Sequence, residues 1–195
     1  MRNGIIVKDD TVVFRNNEKG GVFLKEAYEG LGVDYPRFYK MDLLSKAGTV
    51  AVDALLKGSM DLAAARPETT GLVFSNRNAS IEADVQYLEA SKEYPSPALF
   101  VYTLPNIVIG EISIRYKFKG ENAFFVSETF DADWMHWYVT DLMQRNLLKT
   151  CICGWIDAIG DRLDVCLFLV EAGAAAGAAF TTENLNGIYN KDYGK

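Results

Sequence analysis

Residues 150–171 read TCICGWIDAIGDRLDVCLFLVE. Two β-rich runs flank Ile159-Gly160-Asp161, and a connection this short makes them antiparallel neighbours. Cys151 and Cys153 stand two apart, so on a strand they share a face. Cys166 falls on the neighbouring strand, and His136, the single histidine, lies in a predicted helix. The cysteines therefore read as small buried hydrophobes, and no metal or other cofactor is expected.

Upstream of this hairpin, helical and strand patterns alternate. AFFVS (123–127) is a strand running to Asp131, which can cap a helix over 132–147. Pro105 can sit in the first turn of a helix over 106–117. Residues 79–91 read as a helix ending before Pro95 and Pro97, and TTGLVFSN (69–76) as a buried strand. A helix over 43–57 has Asp42 as N-cap and Gly58 as terminator. Leu44, Ala47, Ala51, Ala54 and Leu55 form its apolar stripe, small enough to pack closely on a sheet. Residues 21–31 give a shorter helix, and 4–14 a strand or hairpin turning at Asp9-Asp10. The tail AGAAAGAAF is rich in small residues, and Thr181 or Thr182 can start a last short helix through a capping box. The order β, α, β, α, β, α, β, β predicts parallel strands joined by right-handed crossovers. The expected fold is α/β, with about five mostly parallel strands, a C-terminal antiparallel hairpin and helices on both faces. Residues 1–171 form the expected domain and 172–195 a tail.

Composition narrows the function classes. The 195 residues are 49% hydrophobic and 24% charged, enough for one domain with a core. A net charge of −6 argues against nucleic acid as a partner, because phosphate binding needs clustered Lys and Arg. The N-terminal MRNGIIVKDDTVVF offers only three consecutive apolar residues, so no signal peptide is expected. No apolar run approaches the roughly 20 residues of a membrane span. A cytoplasmic location follows as the expectation. The GAAAG run lacks the Lys and Ser or Thr of a phosphate loop. Asn78-Ala79-Ser80 matches a glycosylation sequon but carries no weight without a secretory signal.

Several segments, in this order, resemble the N-terminal half of a β-ketoacyl (3-oxoacyl-ACP) synthase of the thiolase-like fold. SPALFVYTLPNIVIGEISIRYKFKG (96–120) is similar to the family segment in which a Pro-containing TLPN run precedes a small-residue helix ending in Gly. YPRFYKMDLLSKAG (35–48) resembles the family's entry into its first long helix. CICGWIDA and DVCLFLVE resemble its last two N-terminal strands. The likeness spans residues 35–171.

That resemblance implies a cysteine nine or ten residues past Gly120, where this sequence has Thr129 and Phe130. No cysteine lies between 120 and 150. A thiolate at a helix N-terminus takes the acyl group in such enzymes, and Phe cannot. The resemblance also implies two catalytic histidines from a second half of the fold, and His136 is the only histidine present. No catalytic residue is therefore assigned. Glu128, Asp131 and Asp133 read as helix N-terminal charges. The expected function is a non-catalytic ketosynthase-like subunit, analogous to chain-length-controlling subunits. It would act with a complete ketosynthase and an acyl carrier protein in fatty-acid or polyketide (aryl-polyene-type) biosynthesis. Alternatives are acyl transfer or hydrolysis through Thr129, or a module binding an acyl chain or carrier. Phe124, Phe125, Phe130 and Trp134 are the candidate interface or acyl pocket, with a homodimer or a heterodimer expected through strand 123–127.

Overall fold

The computed structural model describes residues 1–63, 65–174 and 177–193. The chain opens with a hairpin of β1 (Ile5–Lys8) and β2 (Thr11–Arg15), then α1 (Gly20–Gly30) and α2 (Leu43–Leu56). Asp9 and Asp10 both adopt positive φ at the hairpin tip, the backbone that a two-residue turn demands. The Asp42 carboxylate accepts a hydrogen bond from the Ser45 amide at 3.0 Å, which makes it the N-cap expected for α2. Gly58, at φ +75°, turns the chain out of that helix.

β3 (Thr70–Asn76) follows, then α3 (Ile81–Ser91), a one-turn α4 (Pro97–Phe100), α5 (Ile107–Tyr116) and β4 (Asn122–Val126). After α6 (Ala132–Gln144) come β5 (Thr150–Ile159), β6 (Arg162–Glu171) and α7 (Thr182–Tyr189). The main sheet runs β4-β3-β5-β6. β3 pairs in parallel with both β4 and β5, and β6 pairs antiparallel with β5, as the short turn requires. Every residue of β3 is buried, which suits a strand with neighbours on both sides and helices on both faces.

Among the described residues the sheet thus has four strands rather than about five, and the N-terminal hairpin forms a separate two-stranded piece. Two other details differ from the sequence reading. The helix expected to reach 147 stops at Gln144, because Asn146 (φ +57°) reverses the chain and the Leu147 and Leu148 amides return to the Leu142 carbonyl. That reversal drops Leu148 into the core. Pro105 stands just before α5, not inside its first turn, and Asn106 is the N-cap residue.

Side chains alternate across the sheet with period two. Leu72, Phe74, Ile152 and Ile156 pack with α1, α2 and α5 on one face. Val73, Cys151, Cys153 and Trp155 pack with α6 and Leu185 of α7 on the other. Close approach explains Gly48 in α2, since a Cβ there would lie 2.4 Å from Val108 of α5. Cys151 and Cys153 are fully buried on the α6 side, as apolar filling. Among the described residues, no single helix is long and apolar enough to cross a membrane.

Candidate functional site

The segment that the resemblance aligns with a ketosynthase's nucleophile strand would begin at Gly120. Its amide donates to the Thr70 carbonyl at 3.1 Å, and a Cβ would sit 2.6 Å from that oxygen, so only glycine fits. β4 then runs along β3 to Ser127, whose amide donates to Asn76 O at 2.9 Å. The Ser127 hydroxyl closes the next turn on the Thr129 carbonyl at 2.9 Å. Asp131 accepts from the Trp134 amide at 2.9 Å and caps α6. The backbone therefore follows the strand–turn–helix path that would present a nucleophile.

The side chains on that path do something else. Thr129 is exposed, and its hydroxyl has no hydrogen-bond partner among the described residues. Glu128 and Asp133 likewise form no ion pair there. Phe130 is 7% exposed and points into an aromatic cluster. Its ring centroid lies 4.8 Å from Tyr189, 6.0 Å from Phe168 and 6.5 Å from Trp155. α7 thus covers Phe130. His136 rests against Phe180 at 5.4 Å.

The four candidate aromatics divide among three places. Phe124 packs with the α2–α5 core, and Phe130 is buried beneath α7. Phe125 and Trp134 meet at 5.6 Å, and Tyr138 joins them at 5.1 Å from Phe125. Trp137 stacks obliquely on Trp134 at 4.9 Å. Trp134 and Trp137 stay 41% and 57% exposed, so this subset forms a surface aromatic patch. It flanks β4, the edge strand of the sheet. The parallel register turns the backbone groups of Asn122, Phe124 and Val126 away from β3, and none has a partner among the described residues. Of the described residues of the C-terminal tail, those of α7 pack against α6 and the β6 face, and none covers this edge.

Two polar features were not singled out by sequence. Asp157 is fully buried and pins the β3–α3 turn: its carboxylate accepts from the Arg77 and Asn78 amides at 3.2 and 3.1 Å and from the Asn78 side chain at 2.9 Å. A lone Asp within the apolar run of β5 was the signal available. The second is a pair of buried carboxylates on the α2–α5 side. Glu111 takes Arg37 at 2.9 Å and Tyr102 at 3.1 Å. Burial, with Glu111 adjacent, pushes the Tyr102 phenol up to about 12. Asp53 takes Arg115 at 2.8 Å and the Tyr116 hydroxyl, and burial raises its carboxyl above the usual range. In each network one carboxylate oxygen, Glu111 Oε2 and Asp53 Oδ2, is buried without a hydrogen-bond partner among the described residues.

No family model and no curated protein matches the sequence. Solved structures do. The ishigamide ketosynthase/chain length factor superposes with a TM-score of 0.59 at 23% identity, over 70% of this chain and 45% of that one. A ketosynthase complex with a type II PKS acyl-carrier protein gives 0.53 at 23% identity, over 66% and 38%. The ketosynthase ApeO in complex with its chain length factor ApeC, from Xenorhabdus doucetiae, gives 0.51 at 13% identity, over 87% of this chain and 83% of that one. The chain spans less than half the length of the first two, whereas the third is similar to it in size. The fold of this chain is the ketosynthase-like, thiolase-type α/β fold.

Proposed function

We propose that this chain is a non-catalytic companion subunit that pairs through β4 with a complete ketosynthase. The pair would act on carrier-bound acyl chains in polyketide or fatty-acid biosynthesis of the aryl-polyene type, inside the cytoplasm. The observation carrying this reading is Phe130. Where a thiolate would stand there is a buried aromatic ring under α7, and the neighbouring Thr129 has no base in contact to activate it. The open backbone groups of β4 and the exposed indoles beside it support the pairing. An unpaired apolar edge invites another strand, and aromatic residues are enriched at interface cores. The neighbours named above include ketosynthases assembled with chain length factors, which fits the same role. A stable pairing of this kind buries on the order of 2,000 Å².

Co-expression with the complete ketosynthase encoded nearest to this chain tests the reading. The two should co-purify as one complex, and the complex should condense acyl- and malonyl-carrier substrates. This chain alone should not, and Thr129→Ala should leave the activity of the complex unchanged. Condensation by the isolated chain, or a ketosynthase that purifies without it and is fully active, overturns the proposal.

A further inference from the structure

The opposite edge of the sheet carries a second opening that the companion reading does not use. The hairpin β5–β6 closes on a two-residue turn, so even-numbered residues of β6 face β5 and odd-numbered ones face outward. Val165 is already engaged: the Met1 nitrogen donates to its carbonyl and its amide donates to the Met1 carbonyl at 3.0 Å. This is a reciprocal antiparallel pair, one residue long. Beyond it, Leu167 and Leu169 present amide and carbonyl groups that no described residue meets. They border an open trough of about 1390 Å³. Ala51 and Leu55 of α2 and Val7 of β1 form one wall, and Phe180 and Ile188 of the C-terminal segment form the other.

We infer that this trough receives an extended, apolar peptide segment of another protein, bearing a lysine or arginine, which adds to β6 as a further strand. Leu167 and Leu169 supply the main-chain pairing, the mode by which exposed sheet edges take peptides. Walls on both sides of the edge exclude a folded domain and admit a single strand. Because both walls are apolar, successive side chains of the occupant meet apolar surface whichever way they point. The charge is set by the rim. Asp9, Glu171 and Glu183 line the trough without an ion pair among the described residues. Of the side-chain cations that line it, Arg2 is paired with Asp164 and Lys191 with Asp10, whereas Lys8 donates to the neutral Lys57 carbonyl and keeps its charge. Three carboxylates against one lysine leave the rim net acidic, which favours a basic occupant. From Val165 to Glu171 the edge spans roughly 20 Å, the reach of a six- or seven-residue strand.

Fluorescence anisotropy with a labelled peptide, acetyl-KVTVIVG-amide, tests this on the full chain. The peptide should bind saturably. Its counterpart with alternate backbone nitrogens methylated keeps the side chains but lacks the donors, and should bind about tenfold more weakly or worse. Leu169→Pro removes one outward amide and spares the β5 ladder, so it should cause a loss of about the same size. Glu171→Lys, at an exposed site, should weaken binding about threefold. The methylated peptide needs no variant protein, so misfolding of Leu169→Pro does not spare the inference. Absence of saturable binding, or equal binding of the methylated peptide, overturns it. So does concentration-dependent dimerisation that Leu169→Pro abolishes, since a second copy would then be the occupant.

Discussion

β4 and β6 bound the same sheet and both leave main-chain groups unpaired, yet they stand in opposite surroundings. Beside β4, Trp134 and Trp137 of α6 stand exposed. Beside β6, α2 and the C-terminal segment rise as walls. An edge flanked by exposed rigid aromatics suits a folded partner that brings its own apolar face. A walled edge admits only a strand. Unpaired backbone alone therefore does not specify a partner; the side chains flanking the edge do.

The largest disruption of this contrast should come from beneath the β6 side. Trp155 is 2% exposed and touches both Phe130 and Tyr189. Trp155→Ala should cost about 3–5 kcal/mol by emptying the centre of that core. Its indole nitrogen has no partner among the described residues, so the loss is apolar packing with no hydrogen bond to forfeit. Denaturant unfolding checks this, and a loss below about 1 kcal/mol would mean that α7 and α6 collapse together to refill the space. α7 should detach first, so peptide binding at β6 fails before pairing at β4 does.

A change confined to β4 should separate pairing from folding. Val126 is 57% exposed at the end of the strand. Val126→Lys should leave monomer stability within about 0.5 kcal/mol. It should weaken association with the companion about tenfold or more, since charged edge residues oppose strand pairing. Light scattering at micromolar concentration reads both species. Phe125→Lys should abolish pairing too, but it also breaks contacts with Trp134 and Tyr138 and so destabilises the chain. Retention of the complex by Val126→Lys would move the interface away from β4.

The elements were legible where local chemistry is strong. Asp42 and Asp131 as caps, the turn at Gly160 and the unbroken apolar run of β3 each follow from short-range rules, and each recurs in the structure. What sequence could not show was direction. Phe124, Phe125 and Phe130 look equivalent as letters, but strand alternation sends the first two to opposite faces, and a turn buries the third. Asp157 reads as one more strand residue until β3 delivers Arg77 and Asn78 to it across the sheet. α7 covers Phe130 through Tyr189, a contact 59 positions away that no periodicity encodes.

That cover should itself respond to pH, in a window the structure sets. The Tyr189 hydroxyl donates to Asp164 at 3.0 Å, and Arg2 lies over its ring at 4.3 Å. Burial first, and the Asp164 carboxylate second, push the Tyr189 phenol up to about 12. An unfolded tyrosine titrates near 10, so between about 10 and 12 the folded chain holds the proton more tightly than the unfolded one. The stabilising contribution is complete below about 10 and is lost as pH rises through that window, because a phenolate would face Asp164. Tyr193 titrates in the same range, held up by burial and by Asp10, so it must be replaced by Phe in both proteins compared. With Trp134 and Trp137 also changed to Phe, Trp155 is the sole remaining indole. Its fluorescence should shift as the pH is raised through that window, from about 10 to about 12, when Tyr189 is present, and stay flat in Tyr189→Phe. Parallel changes in both proteins would assign the transition to another group and leave α7 held by Leu185 and the apolar face of the sheet.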